Sequence, residues 1–248
     1  MATRVFLAGA SGAIGRRLIP LCLQRSALVF GTTRSDAHAD KLRSSGIEPI
    51  VVDVFDALSL SRSMVNVHPD VVVHQLTDLA LIHDPNRLTE ALTRNARLRI
   101  EGTRNLVAAA VEAGARRLIA QSIAWIYAPG PEPHTEENPL NLSATGMAAV
   151  TVQGVVALEQ AVLHAPQLEG IVLRYGWLYG PGTGTAVAAG APPLHVDAAA
   201  LAAALTIDRG APGIYNIAEP SSSVSVVKAR RELAWEPGFR FKESAAAS

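Results

Sequence analysis

The chain has 248 residues, enough for one large domain or a domain with a small second lobe. Apolar residues make up 49%, and 22 basic residues balance 22 acidic ones, so the charge gives no support for nucleic acid or an anionic membrane as partner. The single cysteine, Cys22, excludes an internal disulfide and reads as a packed thiol. The first apolar run is short and broken by Gly9, Ser11 and Gly12, unlike a secretory signal, and no stretch approaches the ~20 apolar residues that span a bilayer. A cytoplasmic protein is expected.

Val5 to Ala8 is a short apolar run that meets glycines at once and reads as a buried strand, followed by a helical pattern from Ile14 to Leu23. Leu28 to Gly31 is a second strand, Ala37 to Ser44 a short helix stopped at Gly46, and Ile47 to Val52 a third strand. Leu58 to Val65 is helical, and Val71 to His74 is a fourth strand introduced by Pro69 and Asp70. A long helical pattern runs from Leu88 to Ala113 and stops at Gly114. Arg117 to Gln121 is a fifth strand, 128–139 a loop rich in Pro, Gly and Glu, Thr145 to His164 a helix and Ile171 to Arg174 a sixth strand.

This alternation implies parallel strands with right-handed crossovers: an α/β fold with a Rossmann-type doubly wound sheet over 1–175. Beyond it the pattern loosens through the Gly and Pro of 176–193. Then come an alanine-rich helix (Val196 to Leu205), a short strand (Gly213 to Ile217) and a last helix (Val224 to Leu233). Residues 176–248 are expected to form a small C-terminal lobe on the substrate side, packed with the sheet as one unit. The alanine runs read as compositional bias, and Ser244 to Ser248 as a frayed tail.

The sharpest signal is the passage from strand to helix through Gly9, Ser11, Gly12, Ala13, Ile14 and Gly15. Gly9 allows a tight turn, Gly12 lets the backbone approach a pyrophosphate, and Gly15 lets the helix sit close on the sheet. The helix N-terminus then offers free N–H groups and positive dipole to phosphate. This context predicts a nicotinamide dinucleotide. A carboxylate at the end of the second strand would favour NAD. Here that position reads Thr33-Arg34-Ser35, hydroxyls and a guanidinium suited to a 2′-phosphate. NADP is therefore the expected cofactor, with NAD possible because Asp36 is near. Asp53 meets the adenine edge or caps a turn. Val54, Gln75 and Leu76, at the ends of the third and fourth strands, complete the expected cofactor set.

Five segments in order resemble the extended or atypical short-chain dehydrogenases/reductases of the NAD-dependent epimerase/dehydratase type. They are the glycine motif, Glu101 to Leu106, Leu173 to Gly182, His195-Val196-Asp197 with Gly213 to Ile217, and Lys228 to Pro237. The resemblance covers nearly the whole chain and implies a small carbonyl or alcohol substrate. It also implies a Tyr four residues before a Lys as proton donor, counted back from Glu159. Those places fall on Thr151 and Val155, and no Tyr-x-x-x-Lys occurs anywhere in the chain. The family's Ser or Thr before its loop Tyr falls on Ile123, with Ser122 one residue early, and its helix Asn falls on Arg99.

Hydride transfer to a carbonyl needs a proton at the same oxygen. Tyr127 is the first candidate substitute donor and Ser122 the second, although Tyr127 also fits a packed loop aromatic. Arg99 and Arg174 suit an anionic substrate, or Arg99 faces solvent with Arg94 and Arg97. His134, Glu136 and Glu137 line a pocket or a solvated loop. The histidines show no metal-ligand spacing, so no metal is expected. An oxidoreductase is the first reading. A sugar or nucleotide-sugar epimerase/dehydratase and a catalytically silent NADP-binding sensor are the alternatives. A homodimer is possible.

Overall fold

The strand that opens the chain, β1 (Arg4–Ala8), is buried on both faces: Val5 and Leu7 enter one apolar cluster, Phe6 and Ala8 the other. Two-sided burial is what a central strand of a parallel sheet requires. In the computed structural model, which describes residues 1–82 and 84–242, β1 lies inside a seven-stranded sheet. The expected tail from Ser244 to Ser248 falls outside the described residues.

The elements follow in order. Helix α1 (Ala13–Gln24) leads to β2 (Leu28–Thr33), α2 (Asp36–Ser44) to β3 (Glu48–Val51), and α3 (Ala57–Val67) to β4 (Val71–His74). Next come α4 (Leu88–Arg97), a π-helical turn (Leu98–Gly102), α5 (Thr103–Glu112) and β5 (Arg117–Ile123). Helix α6 (Gly146–Leu163) precedes β6 (Glu169–Tyr175), then β7 (Trp177–Tyr179), β8 (Pro193–His195), α7 (Val196–Leu205), β9 (Gly213–Ile217) and α8 (Val227–Leu233). The sheet order is β3-β2-β1-β4-β5-β6-β9 and every pairing is parallel, the doubly wound arrangement expected from the alternation.

Four features depart from the sequence pattern. The 88–113 helix is interrupted by the π turn at Leu98–Gly102, where Gly102 lets the helix approach Val54 closely; an added Cβ would stand 3.3 Å from a Val54 methyl. The residues from 176 onward do not form a lobe with a core of its own. Strand β9 joins the main sheet, and α7 enters the same apolar cluster as α1. The alanines of α7 are packing rather than bias: Ala198, Ala199, Ala200, Ala202, Ala203 and Ala204 are all buried, and their small size lets α7 lie directly on α1. Strands β7 and β8 were hidden in the Gly- and Pro-rich stretch and form a separate two-stranded sheet.

The two sheet edges are blunted. Edge strand β3 carries Pro49, which has no N–H to donate. On β9 the Lys228 Nζ donates to the Ile214 carbonyl at 2.8 Å, and the Asn216 N–H donates to Glu136 at 2.8 Å.

Helix α6 has the length and composition to cross a membrane, with mean hydropathy 1.4 over 18 residues, contrary to the expectation that no stretch comes near. It lies against β5 and β6 as a core helix. Glu159, on its buried face, accepts from Arg174 Nε at 2.9 Å and Nη2 at 2.6 Å, and from the Ser122 hydroxyl at 2.7 Å. Removing one member of a buried pair strands the other charge. Glu159→Gln should therefore lower unfolding stability by about 3–5 kcal/mol in chemical denaturation. Glu159→Leu combined with Arg174→Met should recover most of that loss, because neither member of this pair is then left without the other.

Candidate active site

In a doubly wound sheet ligands bind beyond the carboxyl ends of the strands, where the strand order turns back. Here that point lies between β1 and β4, and one cavity opens there. It is lined by the turn after β1 (Gly9, Ser11, Gly12), the end of β2 (Thr32, Thr33, Arg34), the turn after β3 (Val52 to Phe55), the segment Gln75 to Asp78, and Leu98 and Leu106.

The turn is built for close approach. Gly9 has φ +95°, and a Cβ there would meet the Gln75 carbonyl at 2.8 Å, so no side chain fits. At Gly15 an added Cβ would collide with the Gly9 carbonyl oxygen, so this glycine lets α1 sit on the turn. Gly12 is the N-cap of α1, with no side-chain cap and no acidic residue in the first turn. The N–H groups of Ala13, Ile14 and Gly15 thus begin a helix whose positive end has no carboxylate in its own first turn. An added Cβ on Gly12 would meet within 4 Å only the Gly9 carbonyl oxygen, at 3.2 Å. The space beyond is open, which fits a pyrophosphate.

At the β2 end, Thr33 Oγ1 accepts from the Ser35 N–H at 3.3 Å, and Ser35 is the N-cap of α2. Arg34 is exposed and forms no ion pair among the described residues. Asp53 accepts from the Phe55 N–H at 2.9 Å, so one carboxylate oxygen shapes the turn while the residue still lines the cavity. Gln75 donates to the Tyr175 hydroxyl at 3.3 Å, and its Oε1 is buried without a partner. Gln75 is itself among the residues that line the cavity.

Of the cofactor residues expected from the sequence, Gly9, Ser11, Gly12, Thr33, Arg34, Asp53, Val54, Gln75 and Leu76 line this cavity, and Ala13, Ile14 and Gly15 form the helix start below it. Sequence reasoning missed Thr32, Phe55, Thr77, Asp78, Leu98 and Leu106. The spacing of Leu98, Gly102 and Leu106 at four-residue steps was the available signal, because it puts both leucines and the close-approach glycine on one face.

The expected proton donors are engaged elsewhere. The Tyr127 hydroxyl donates to Asn216 Oδ1 at 2.6 Å, and its ring stacks on His134 at 5.0 Å between centroids. Burial raises its pKa, making it a weaker acid than an ordinary phenol. Ser122 donates to Glu159. Neither lines the cavity. Thr151 lies on α6, and Val155 one turn on is sealed in an apolar cluster with Ile123, Ile126 and Val152, edged by Trp125. Trp125 stacks on Trp177 at 4.1 Å and ties the loop after β5 to the segment after β6. His134, expected in a loop, is buried, and Glu136 caps the β9 edge. Arg99 is buried rather than facing solvent with Arg94 and Arg97.

With this geometry in view, relatives can be weighed. The model of the NAD dependent epimerase/dehydratase family matches residues 5–207. This chain belongs to that family. A 3-diazoavenalumate denitrifying reductase from a Streptomyces species is 41% identical over 241 residues, covering 87% of this chain and 76% of that protein. Two solved structures share the fold. The UDP-glucose 4-epimerase of Thermus thermophilus, in complex with NAD, has a TM-score of 0.73 at 20% identity, covering 96% of this chain and 95% of its own. Yeast methylglyoxal/isovaleraldehyde reductase, complexed with NADPH, has a TM-score of 0.71 at 14% identity, covering 88% and 78%. Within the epimerase/dehydratase family, this chain is an NAD(P)-binding oxidoreductase.

At the floor of the site, His74 is fully buried at the end of β4. The Leu76 N–H donates to its Nδ1 at 3.2 Å, which assigns the proton to Nε2, facing Thr103 Oγ1 at 3.1 Å. Burial, and then the charge of Arg99, push its pKa from 6.5 down to about 4. Between those values the unfolded chain takes up a proton that the folded chain refuses, so stability is full above 6.5 and falls as pH drops toward 4. The loss should be on the order of 3 kcal/mol. Urea unfolding at pH 7 and pH 4.5 should show that component in the wild type, and His74→Asn should lack it.

Proposed function

We propose that this chain is an NADPH-dependent reductase whose substrate accepts hydride without a proton from the protein, an aromatic diazo compound being the favoured class. The observation that carries this reading is the apolar cluster of Ile123, Ile126, Val152 and Val155 on the stretch where a Tyr and Lys acid pair would be needed. Identity of 41% with a reductase that removes nitrogen from a diazo compound supports it.

The chemistry agrees. A bound NADPH supplies hydride. Reducing a carbonyl consumes that hydride and a proton at the same oxygen. Replacing N2 on an aryl diazonium carbon needs the hydride alone: a C–H bond forms from the hydride pair, and the C–N bond breaks with its electrons leaving on N2. The charges of the cation and hydride cancel, and no protein acid takes part. Tyr127 and Ser122 then need no catalytic role. The chain's own work is to hold the cofactor, orient the arene and keep water out.

NADP is favoured over NAD by the exposed Arg34, which lines the cavity beside Thr33; Ser35, expected with them, is the N-cap of α2 and does not line it. Losing one charge-assisted contact to a phosphate costs about 1.5–3 kcal/mol, roughly a tenfold to hundredfold drop in affinity. Calorimetry should show Arg34→Ala weakening NADP by that amount while NAD binding barely changes. Equal losses for both cofactors would give Arg34 a structural role instead.

The reaction is tested by incubating the protein with NADPH and an aryl diazo carboxylate, with aldehydes and ketones as a parallel panel. One NADPH should be oxidised for each N2 released, with a rate flat from pH 6 to 9 because no protein acid titrates in the step. Carbonyls turned over faster than the diazo compound, or tight NADPH binding with no reduction of any kind, would overturn the reading.

A further inference from the structure

Three buried polar side chains, Asn95, Arg99 and Thr103, follow one another at four-residue steps along α4, the π turn and α5. Two of them have partners on the floor of the crevice. Asn95 Oδ1 accepts from the Asp78 N–H at 3.0 Å, and Thr103 Oγ1 meets His74 at 3.1 Å. This face of the helix therefore looks at the carboxyl end of β4 and the segment after it.

Arg99, the middle one, has no such partner. It is only 8% exposed, yet its guanidinium donates no hydrogen bond and meets no carboxylate within 4.0 Å among the described residues. Burial lowers its pKa to about 10, with the Glu159 charge opposing, which leaves it cationic at neutral pH. Glu159 acts on it only through its charge: the carboxylate makes no ion pair with Arg99 within 4.0 Å among the described residues, and it already neutralises Arg174, from which it accepts two hydrogen bonds. His74 carries no charge. Two cations and one carboxylate therefore share this interior, which is short of one negative charge. A buried cation is retained against its desolvation cost when something compensates it.

The nearest elements say what kind of anion. Glu159 and Val155 lie one turn apart on α6, and Val155 joins Ile123 and Ile126 with half-buried Trp125 beside them. Arg99 feels the charge of Glu159, one turn along α6 from Val155, which puts the cation in the neighbourhood of this apolar and aromatic cluster. The dinucleotide phosphates have their own partner in the first turn of α1, at the turn after β1.

We propose that Arg99 binds the anionic group of the substrate, a carboxylate or phenolate on an aromatic ring that lies along the Ile123 and Trp125 wall. This deepens the functional reading above and rests on its reductase assignment, though not on its diazo chemistry.

The test uses the full chain loaded with NADP⁺ and titrated by calorimetry with cinnamate, 4-hydroxycinnamate and cinnamamide. The two acids should bind at least tenfold tighter than the neutral amide. Arg99→Met should abolish that preference and Arg99→Lys should keep most of it, with NADP⁺ affinity unchanged in both. Thermal melting separates binding from structure. Without ligand, Arg99→Met should melt no lower than the wild type, because an unpaired buried charge has gone, and cinnamate should raise the melting temperature of the wild type only. Equal binding of acid and amide, or binding of neither, overturns the proposal. So does an Arg99→Met variant that melts far lower or loses NADP⁺, since Arg99 would then be a structural counter-ion for Glu159. An acid preference that depends on Arg99, found in a protein that reduces no diazo arene, would leave this assignment standing while the diazo reading falls.

Discussion

Helix α1 rests directly on the turn that leads into it. With only hydrogen at Gly15, the helix comes into contact with the carbonyl oxygens of Gly9 and Ala10. This one contact fixes where the first N–H groups of α1 point, and so where an anion can sit. Gly9 must then take φ +95°, and Gln75 is held close behind it. The opposite side of α1 receives α7, whose alanines match the narrow gap. The placement of the C-terminal third follows from a glycine near the start of the chain.

The second organising fact is how charge is handled inside. One carboxylate, Glu159, is shared by a guanidinium and a hydroxyl from the adjoining strands, which locks α6 to β5 and β6. His74 avoids charge altogether by accepting from one backbone N–H and facing one hydroxyl. Arg99 follows neither course. A fold of this size seldom keeps a cation in its interior without a matched partner, and here the unmatched one stands in the neighbourhood of an apolar cluster that has no acid to offer. The two departures, a cation where an amide would do and aliphatic packing where an acid would be needed, are the grounds for the anionic, hydride-accepting ligand proposed above.

Much of this was legible in the sequence. The strand, glycine and helix succession marked the turn at which the cavity opens, because backbone sterics leave few other uses for three glycines at that spacing. The alternation of elements gave the parallel sheet. What was not legible depended on contacts between distant segments. The π turn at 98–102 shows no local signal beyond Gly102. Strands β7 and β8 pair only with each other, and β8 opens on Pro193, so propensity pointed to loop. For Tyr127 the sequence left a proton donor and a packed aromatic both open, because its partner Asn216 lies 89 residues away. Arg99 looked like one of three surface arginines because helical spacing alone does not say which of Arg94, Arg97 and Arg99 turns inward.

The blunted sheet edges have a consequence for how copies of this protein can meet. A parallel sheet with bare outer strands would invite a further strand from another chain. On β9 the outward carbonyl of Ile214 and the outward N–H of Asn216 are already engaged by Lys228 and Glu136, and on β3 the outermost strand lacks a donor at Pro49. Growth by strand addition is closed at these points on both sides. At these points contact between copies cannot use the sequence-blind hydrogen bonding of a strand edge and falls to side chains, whose complementarity decides the match.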